Sequence, residues 1–152
     1  MSTLFAFLHH IAAFALFATL TLEFVLIKSQ FSLENARRLV VADMIYGLAA
    51  GLIIVVGLLR IFFFEKGAYF YFHSVPFITK LVLFVIVGLL SIYPTRVFLS
   101  WRPALKKGDT PTLDGGTLAK IQRVLHLELV GIVFIILCAA MAARGVGQVS
   151  AG

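Results

Sequence analysis

Histidine and carboxylate side chains interrupt the most apolar parts of this sequence. The stretch at 4–27, "LFAFLHHIAAFALFATLTLEFVLI", contains His9, His10 and Glu23. An imidazole binds haem iron or a metal ion through a neutral ring nitrogen, and a buried carboxylate can take up and release a proton. Polar side chains are costly at membrane depth, so they face a bundle interior, a cavity or a ligand. These residues are therefore candidates for a functional site.

Four long apolar segments provide the elements that must position such side chains. The chain has 152 residues, of which 61% are hydrophobic and 13% charged. A membrane-spanning helix needs about 20 mostly apolar residues, and segments at about 4–27, 39–64, 76–99 and 118–143 reach that length. The sequence predicts an all-α fold, an integral membrane four-helix bundle built from one domain over residues 1–152. The first segment lacks the basic start and short apolar core of a signal peptide, so we expect a retained helix.

Basic residues are concentrated at one end of the predicted helices. That end holds nine of them, namely Lys28, Arg37, Arg38, Arg96, Arg102, Lys106, Lys107, Lys120 and Arg123, whereas the other end holds Arg60, Lys66, Lys80 and Arg144. The positive-inside rule places the first set in the cytoplasm, which predicts a multi-pass protein of the bacterial inner membrane with both termini outside. The net charge of +6 is then a topology signal that contacts the lipid bilayer, and no nucleic acid partner is expected.

Alternating helix directions sort the polar residues into two groups at different depths. The outer cluster consists of His9, His10, Arg60 and Lys80, with His73 in the adjoining loop. The inner cluster consists of Glu23, Asp43, Tyr46, Arg96, His126 and Glu128. Since a helix rises about 1.5 Å per residue, His9 and Glu23 lie roughly 21 Å apart along their helix. We therefore expect two separate sites.

The outer cluster is the candidate cofactor site. A porphyrin needs one or two axial ligands and an apolar slot, and helix bundles often provide both. We expect haem b with His10 as the iron ligand or His9 as its alternate, and with Lys80 as second metal ligand or, like Arg60, as a propionate partner. In the alternative, the histidines bond a neighbouring helix and the two cations extend to water. Adjacent histidines point in different directions, which disfavours a compact metal-ion site.

The inner cluster is the candidate proton site. Glu23, Asp43 and His126 are the predicted members of a proton relay. The alternative is charge neutralisation by ion pairs such as Glu23–Arg96 or Asp43–Arg37, because intramembrane charges tend to pair. His126 as a second haem ligand is disfavoured by depth, since it lies at the opposite membrane face from His10.

Three further features carry structural expectations. Gly47 and Gly51 form a small-xxx-small pair, which indicates close packing inside the bundle or, alternatively, a homodimer face. Trp101 has the position of an interfacial anchor, and the 100–117 segment is expected to be the longest loop.

Four runs of the chain carry a resemblance to known families. "LHHIAAFALFATLTLE", "ARRLVVADMIYGLAAGL", "FHSVPFITKLVLFVIVGLLSIYPTRVFLSWR" and "VLHLELVGIV" resemble an uncharacterised bacterial family of four-helix membrane proteins, a domain of unknown function. More distantly, the layout resembles the four-helix, haem-dependent J-type protoporphyrinogen oxidases. That family has a histidine early in helix one, a lysine early in helix three and an Arg-rich start of helix two, matched here by His10 (or His9), Lys80 and Arg37–Arg38. This resemblance implies haem b and porphyrinogen oxidation.

Two functional hypotheses follow. The first is a haem b-binding membrane redox protein, in its enzymatic form an oxidase of porphyrinogen or quinol, so that porphyrin or quinone is the expected small-molecule partner. The second is a non-enzymatic membrane protein, such as a small transporter, channel component or assembly partner.

Overall fold

Four long helices account for most of the chain. The computed structural model describes residues 2–64, 69 and 72–147. Helix α1 spans Ser2–Lys28, and α2 spans Leu33–Leu59 and continues into a π-helical segment, Arg60–Phe64. Helix α3 spans Val75–Ser100, a short α4 spans Arg102–Lys107, and α5 spans Gly115–Ala143. Lys66, one of the cations expected at the outer end, lies outside the described residues.

Side-chain caps set where two of the long helices begin. The hydroxyl of Ser32 accepts a hydrogen bond from the backbone N–H of Asn35, so α2 begins several residues before its apolar stretch. The carboxylate of Asp114 caps α5 by accepting hydrogen bonds from the backbone N–H of Thr117 at 2.9 Å and from its hydroxyl at 2.6 Å. These hydrogen bonds hold the pKa of Asp114 below its usual range. Both caps satisfy backbone donors that a helix start leaves open.

The helices pack as two pairs. Helix α1 packs along α2, α3 packs along α5, and α1 also contacts α5, which joins the pairs. The approach of α3 to α5 is close at Gly131, where an added Cβ would lie 2.6 Å from a methyl carbon of Val87. The shared core contains side chains from every long helix, among them Leu20, Leu39, Phe98, Ile121 and Leu125.

The outward surface of these helices is apolar. Leu48 is 70% exposed, Phe14 72% and Leu89 63%, and each lies in the middle of a long helix. All four long helices are long and apolar enough to cross a membrane. An apolar exterior of this extent is what a lipid environment requires. The expected all-α membrane helical bundle is therefore confirmed, whereas the orientation of the termini stays a prediction.

Three local expectations are wrong. The 100–117 segment is not all loop, because α4 forms there and ends at Gly108, whose φ of +81° suits a residue without a Cβ. Trp101 is not an interfacial anchor: it is 4% exposed and packs against Phe31 and Phe98. Close packing of Gly47 and Gly51 inside the bundle is wrong, since both are exposed and no described atom beyond their own stretch of helix lies within 4 Å of a Cβ added at either, whereas the homodimer face stays a prediction.

Candidate functional site

Three carboxylates from three helices meet inside the bundle. Glu23 of α1 is 1% exposed, Asp43 of α2 is 6% exposed and Glu128 of α5 is 1% exposed. Asp43 and Glu128 lie within electrostatic range of Glu23. We call these three residues the acidic site. It unites two of the three predicted relay members, Glu23 and Asp43, with a carboxylate that the sequence placed only in the wider inner cluster.

Few hydrogen bonds satisfy the acidic site. Asp43 accepts one from the Thr95 hydroxyl at 2.6 Å, which also ties α2 to α3. Glu23 Oε1 and both carboxylate oxygens of Glu128 are buried without a hydrogen-bond partner. The Tyr46 hydroxyl interacts with Glu128, although the two side chains do not form a hydrogen bond of standard geometry. Buried polar groups are normally paired, so three open acceptor positions in one place require an explanation.

Apolar layers enclose the acidic site on both sides. One helical turn away from each carboxylate, on the same helix face, lie buried side chains of its own helix. For Glu23 these are Leu20 and Ile27, and for Glu128 they are Leu125 and Ile132. Towards the basic end the layer also includes Leu39, Phe98 and Trp101, and on the other side it includes Leu16, Ala49 and Val87. The carboxylates are therefore separated from both membrane surfaces by packed side chains.

The expected ion pairs do not form. Within the described residues, the one salt bridge joins Arg38 to Glu34, and both of these side chains are exposed. Arg37 instead donates to the carbonyl of Leu105, and Arg96 is exposed. The cation that acts on Asp43 is Arg102, at longer range. The Glu23–Arg96 and Asp43–Arg37 pairs of the alternative interpretation are absent from the described part of the chain.

His126 lies apart from the acidic site. Its side chain is exposed, and its ring lies 6.0 Å from that of Phe24. Glu128, two positions later on α5, is turned by about 200° around the helix axis and faces inward. The angle follows from the sequence, but the packing decides which of the two side chains faces inward, because the buried residues Ile121, Leu125 and Ile132 define a face that contains Glu128. The role of His126 in a proton relay is untested and stays a prediction.

The two histidines of α1 occupy different environments. The His10 ring is exposed and its Nδ1 lies 2.6 Å from the carbonyl oxygen of Ala6, one turn earlier. His9 is half-buried and faces α2, where a Cβ added at Gly57 would lie 3.7 Å from His9 Cε1. Of the two candidate ligands, His9 is the one directed between helices.

The outer cations lie on neighbouring elements at the same end as His9. Arg60 begins the π-helical segment three residues after Gly57, and α1 contacts this segment. Lys80 of α3 is half-buried with its Nζ 4.6 Å from the centre of the Phe77 ring. Phe77 packs with Ile61 and Ala142, so the π-helical segment, α3 and α5 meet there. His73 lies beside Tyr69, its ring 4.0 Å from the tyrosine ring.

The outer end has a half-buried imidazole, that of His9, and two half-buried cations, Arg60 and Lys80. No group of three or more His, Cys, Asp or Glu side chains among the described residues has a geometry that could hold a metal ion. An interior imidazole with two cations at its depth is compatible in chemistry with one axial ligand and two propionates. His9, Arg60 and Lys80 are the residues that would hold such a group.

Comparison with known proteins assigns a family and no activity. A family model described as "Predicted membrane protein (DUF2214)" matches residues 1–147. No curated protein and no solved structure matches the chain. The resemblance to an uncharacterised membrane protein family is confirmed, whereas no homologue supports the distant resemblance to haem-dependent oxidases.

Proposed function

Since the chain belongs to the DUF2214 family of predicted membrane proteins, we propose a function within the bilayer: it binds protons at the acidic site and carries them across the membrane. The observation that carries this proposal is the burial of Glu23 and Glu128, each 1% exposed, with carboxylate oxygens that have no hydrogen-bond partner. Intramembrane acidic residues of this kind mark ion pathways and proton relays.

Elementary electrostatics supports a proton as the bound species. Ionised carboxylates in an apolar interior are strongly disfavoured, and like charges in proximity disfavour them further. A proton is the smallest cation that removes both costs, and it needs no coordination shell. The carboxylates of the acidic site are therefore expected to bind protons rather than to carry several negative charges at once.

The enclosing apolar layers support a carrier rather than an open pore. A continuous pore would expose the carboxylates to water from at least one surface. Here packed side chains lie on both sides, so proton exchange requires a rearrangement that opens one layer at a time. Alternating exposure of an enclosed site to the two sides of the membrane is the general mode of secondary transporters. We place this activity in the bacterial inner membrane.

The test is proton flux through purified protein in liposomes. The liposomes contain a pH-sensitive dye, and a potassium diffusion potential drives protons inward. We expect internal acidification faster than in protein-free liposomes and dependent on the amount of protein. Flux equal to that of protein-free liposomes under all imposed potentials and pH gradients would contradict the proposal.

A second candidate is a haem b-binding redox protein, in its enzymatic form an oxidase of porphyrinogen or quinol. It is favoured by the half-buried position of His9 at the same end of the bundle as Arg60 and Lys80. When bound, haem would supply one-electron chemistry, and this chain's own contribution would be an imidazole ligand, cations for the propionates and, from the acidic site, protons.

The visible spectrum of the purified protein tests the haem proposal. We expect a Soret band that shifts on reduction and is lost in His9→Ala, because that side chain is directed between helices. His10→Ala is the matched control and should retain the band, because the His10 ring is exposed. Colourless protein from haem-replete cells, or a band unaffected by His9→Ala, contradicts His9 ligation without bearing on the proton flux assay.

A further inference from the structure

An apolar groove with a basic end runs along the surface between α1 and α2. It encloses about 290 Å³ and is lined by Thr19 and Leu22 of α1 and by Arg37, Arg38, Val41, Ala42 and Ile45 of α2. Leu22, Val41 and Ile45 are between 42% and 50% exposed, so the groove opens towards the lipid. It lies on the outer surface of the bundle, whereas the acidic site is enclosed.

The polar atoms of the groove are concentrated at one end. The Thr19 hydroxyl donates to the carbonyl of Ala15, its own helix, and leaves the wall apolar. Arg37 and Arg38 lie in the first turns of α2 and are exposed. From Arg37 to Ile45, eight helical steps, the groove extends about 12 Å along the helix. A cationic end followed by an apolar groove of this length has the chemistry that a lipid with a negatively charged headgroup requires.

Other charges near the opening reinforce its positive potential. Arg37 donates to the carbonyl of Leu105 in α4, which brings Lys106 and Lys107 to this end of the bundle. Arg102 lies near α2 as well, with its guanidinium 3.9 Å from the sulfur of Met44. Glu34, which pairs with Arg38, and Asp109, which follows α4, are acidic residues at this end. The cations named here outnumber these two carboxylates, so an anion is favoured at the opening.

We propose that the α1–α2 groove binds an anionic phospholipid of the surrounding leaflet, with its phosphate at Arg37 and Arg38 and one acyl chain along Val41 and Ile45. Basic pockets between transmembrane helices bind anionic headgroups in this way. The acyl chain fits the shape of the groove, and the two arginines favour a negatively charged headgroup.

The experiment is native mass spectrometry of the full-length protein in detergent, titrated with phosphatidylglycerol or with phosphatidylcholine of the same chain length. We expect phosphatidylglycerol to bind more tightly. The double variant Arg37→Gln/Arg38→Gln should weaken its binding about 25-fold, since each basic residue near an anionic lipid contributes about 1 kcal/mol, or about fivefold. The matched control, Lys120→Gln/Arg123→Gln, removes two exposed charges from α5 at the same end and should leave binding unchanged.

Two further measurements test the proposal even if the loss of Arg37 disturbs α4. Val41→Phe fills the groove while keeping both arginines, and it should weaken the binding of phosphatidylglycerol because it blocks the acyl chain. Glycerol 3-phosphate has the charge without the chains and should not compete. Equal weakening in the α5 control, unchanged binding in Val41→Phe, or competition by glycerol 3-phosphate would each overturn the proposal.

Discussion

Glu128→Gln lowers proton flux through the reconstituted protein on the order of 100-fold, which is the lower end of what a positioned proton-transfer group contributes. Glutamine has nearly the same shape as glutamate, but its amide does not take up or release a proton under the conditions of the flux assay. No hydrogen bond of standard geometry ends on either carboxylate oxygen of Glu128, and the side-chain oxygen of glutamine can keep the interaction with Tyr46, so the substitution should preserve the packing. We expect a fold unchanged by circular dichroism together with the loss of flux, and the same loss in Glu23→Gln.

His126→Gln is the matched control for this experiment. It lies two residues from Glu128 on the same helix, but its side chain is exposed, and we expect it to retain flux within about twofold of the unchanged protein. If Glu128→Gln conducts protons as well as the original protein, the acidic site is not the proton carrier. If only His126→Gln fails, the relay runs along the outer face of α5, and the role proposed for Glu128 is wrong.

Glu128→Leu stabilises the protein while it abolishes flux. A buried acceptor without a hydrogen bond costs about 1–3 kcal/mol, and replacing buried polar groups by apolar ones of similar size is often neutral or stabilising. Ile132 and Leu125 flank Glu128 on the same face, so a leucine there meets an apolar surrounding. We expect the free energy of unfolding to rise by about 1–3 kcal/mol, measured by thermal or denaturant unfolding in detergent.

Glu34→Leu is the corresponding surface control. Glu34 is exposed and pairs with Arg38, so its loss should change the free energy of unfolding by less than about 1 kcal/mol and in the unfavourable direction. A fall in stability for Glu128→Leu would show that its carboxylate serves the packing of the bundle. The simultaneous gain of stability and loss of flux in one variant would identify Glu128 as a residue retained for function.

Local properties made the helices predictable. Each long segment is apolar over about the thickness of a bilayer, which predicts four helices. The predicted segments begin at 39 and 118 because they follow the apolar content, whereas the caps at Ser32 and Asp114 start α2 and α5 earlier. Such features require no knowledge of neighbouring helices. The short helix α4 was missed although the sequence carries its signals, namely Pro103 in the first turn, Lys106 and Lys107 in the last turn and Gly108 directly after it.

The site was only partly predictable, for a geometric reason. The sequence assigned Glu23, Asp43 and Glu128 to one depth, because depth follows from helix direction and the rise per residue. The sequence could not show which side of each helix packs against a neighbouring helix. This packing buries Glu128 and leaves His126 exposed, and it directs His9 between helices and leaves His10 exposed. The same limitation led us to predict Trp101 at the lipid interface, whereas it is buried, and to favour close bundle packing for Gly47, whereas Gly47 is exposed.

The sequence by itself determined that this chain is a membrane bundle of four helices, that its polar residues lie at two depths, and that its cations gather at one end. Those properties follow from composition, segment length and order along the chain. Only the tertiary structure decided which polar groups share an interior, because contact between helices depends on their mutual rotation. That rotation encloses three carboxylates between apolar layers, leaves His10 and His126 exposed, and opens a groove beside Arg37 and Arg38.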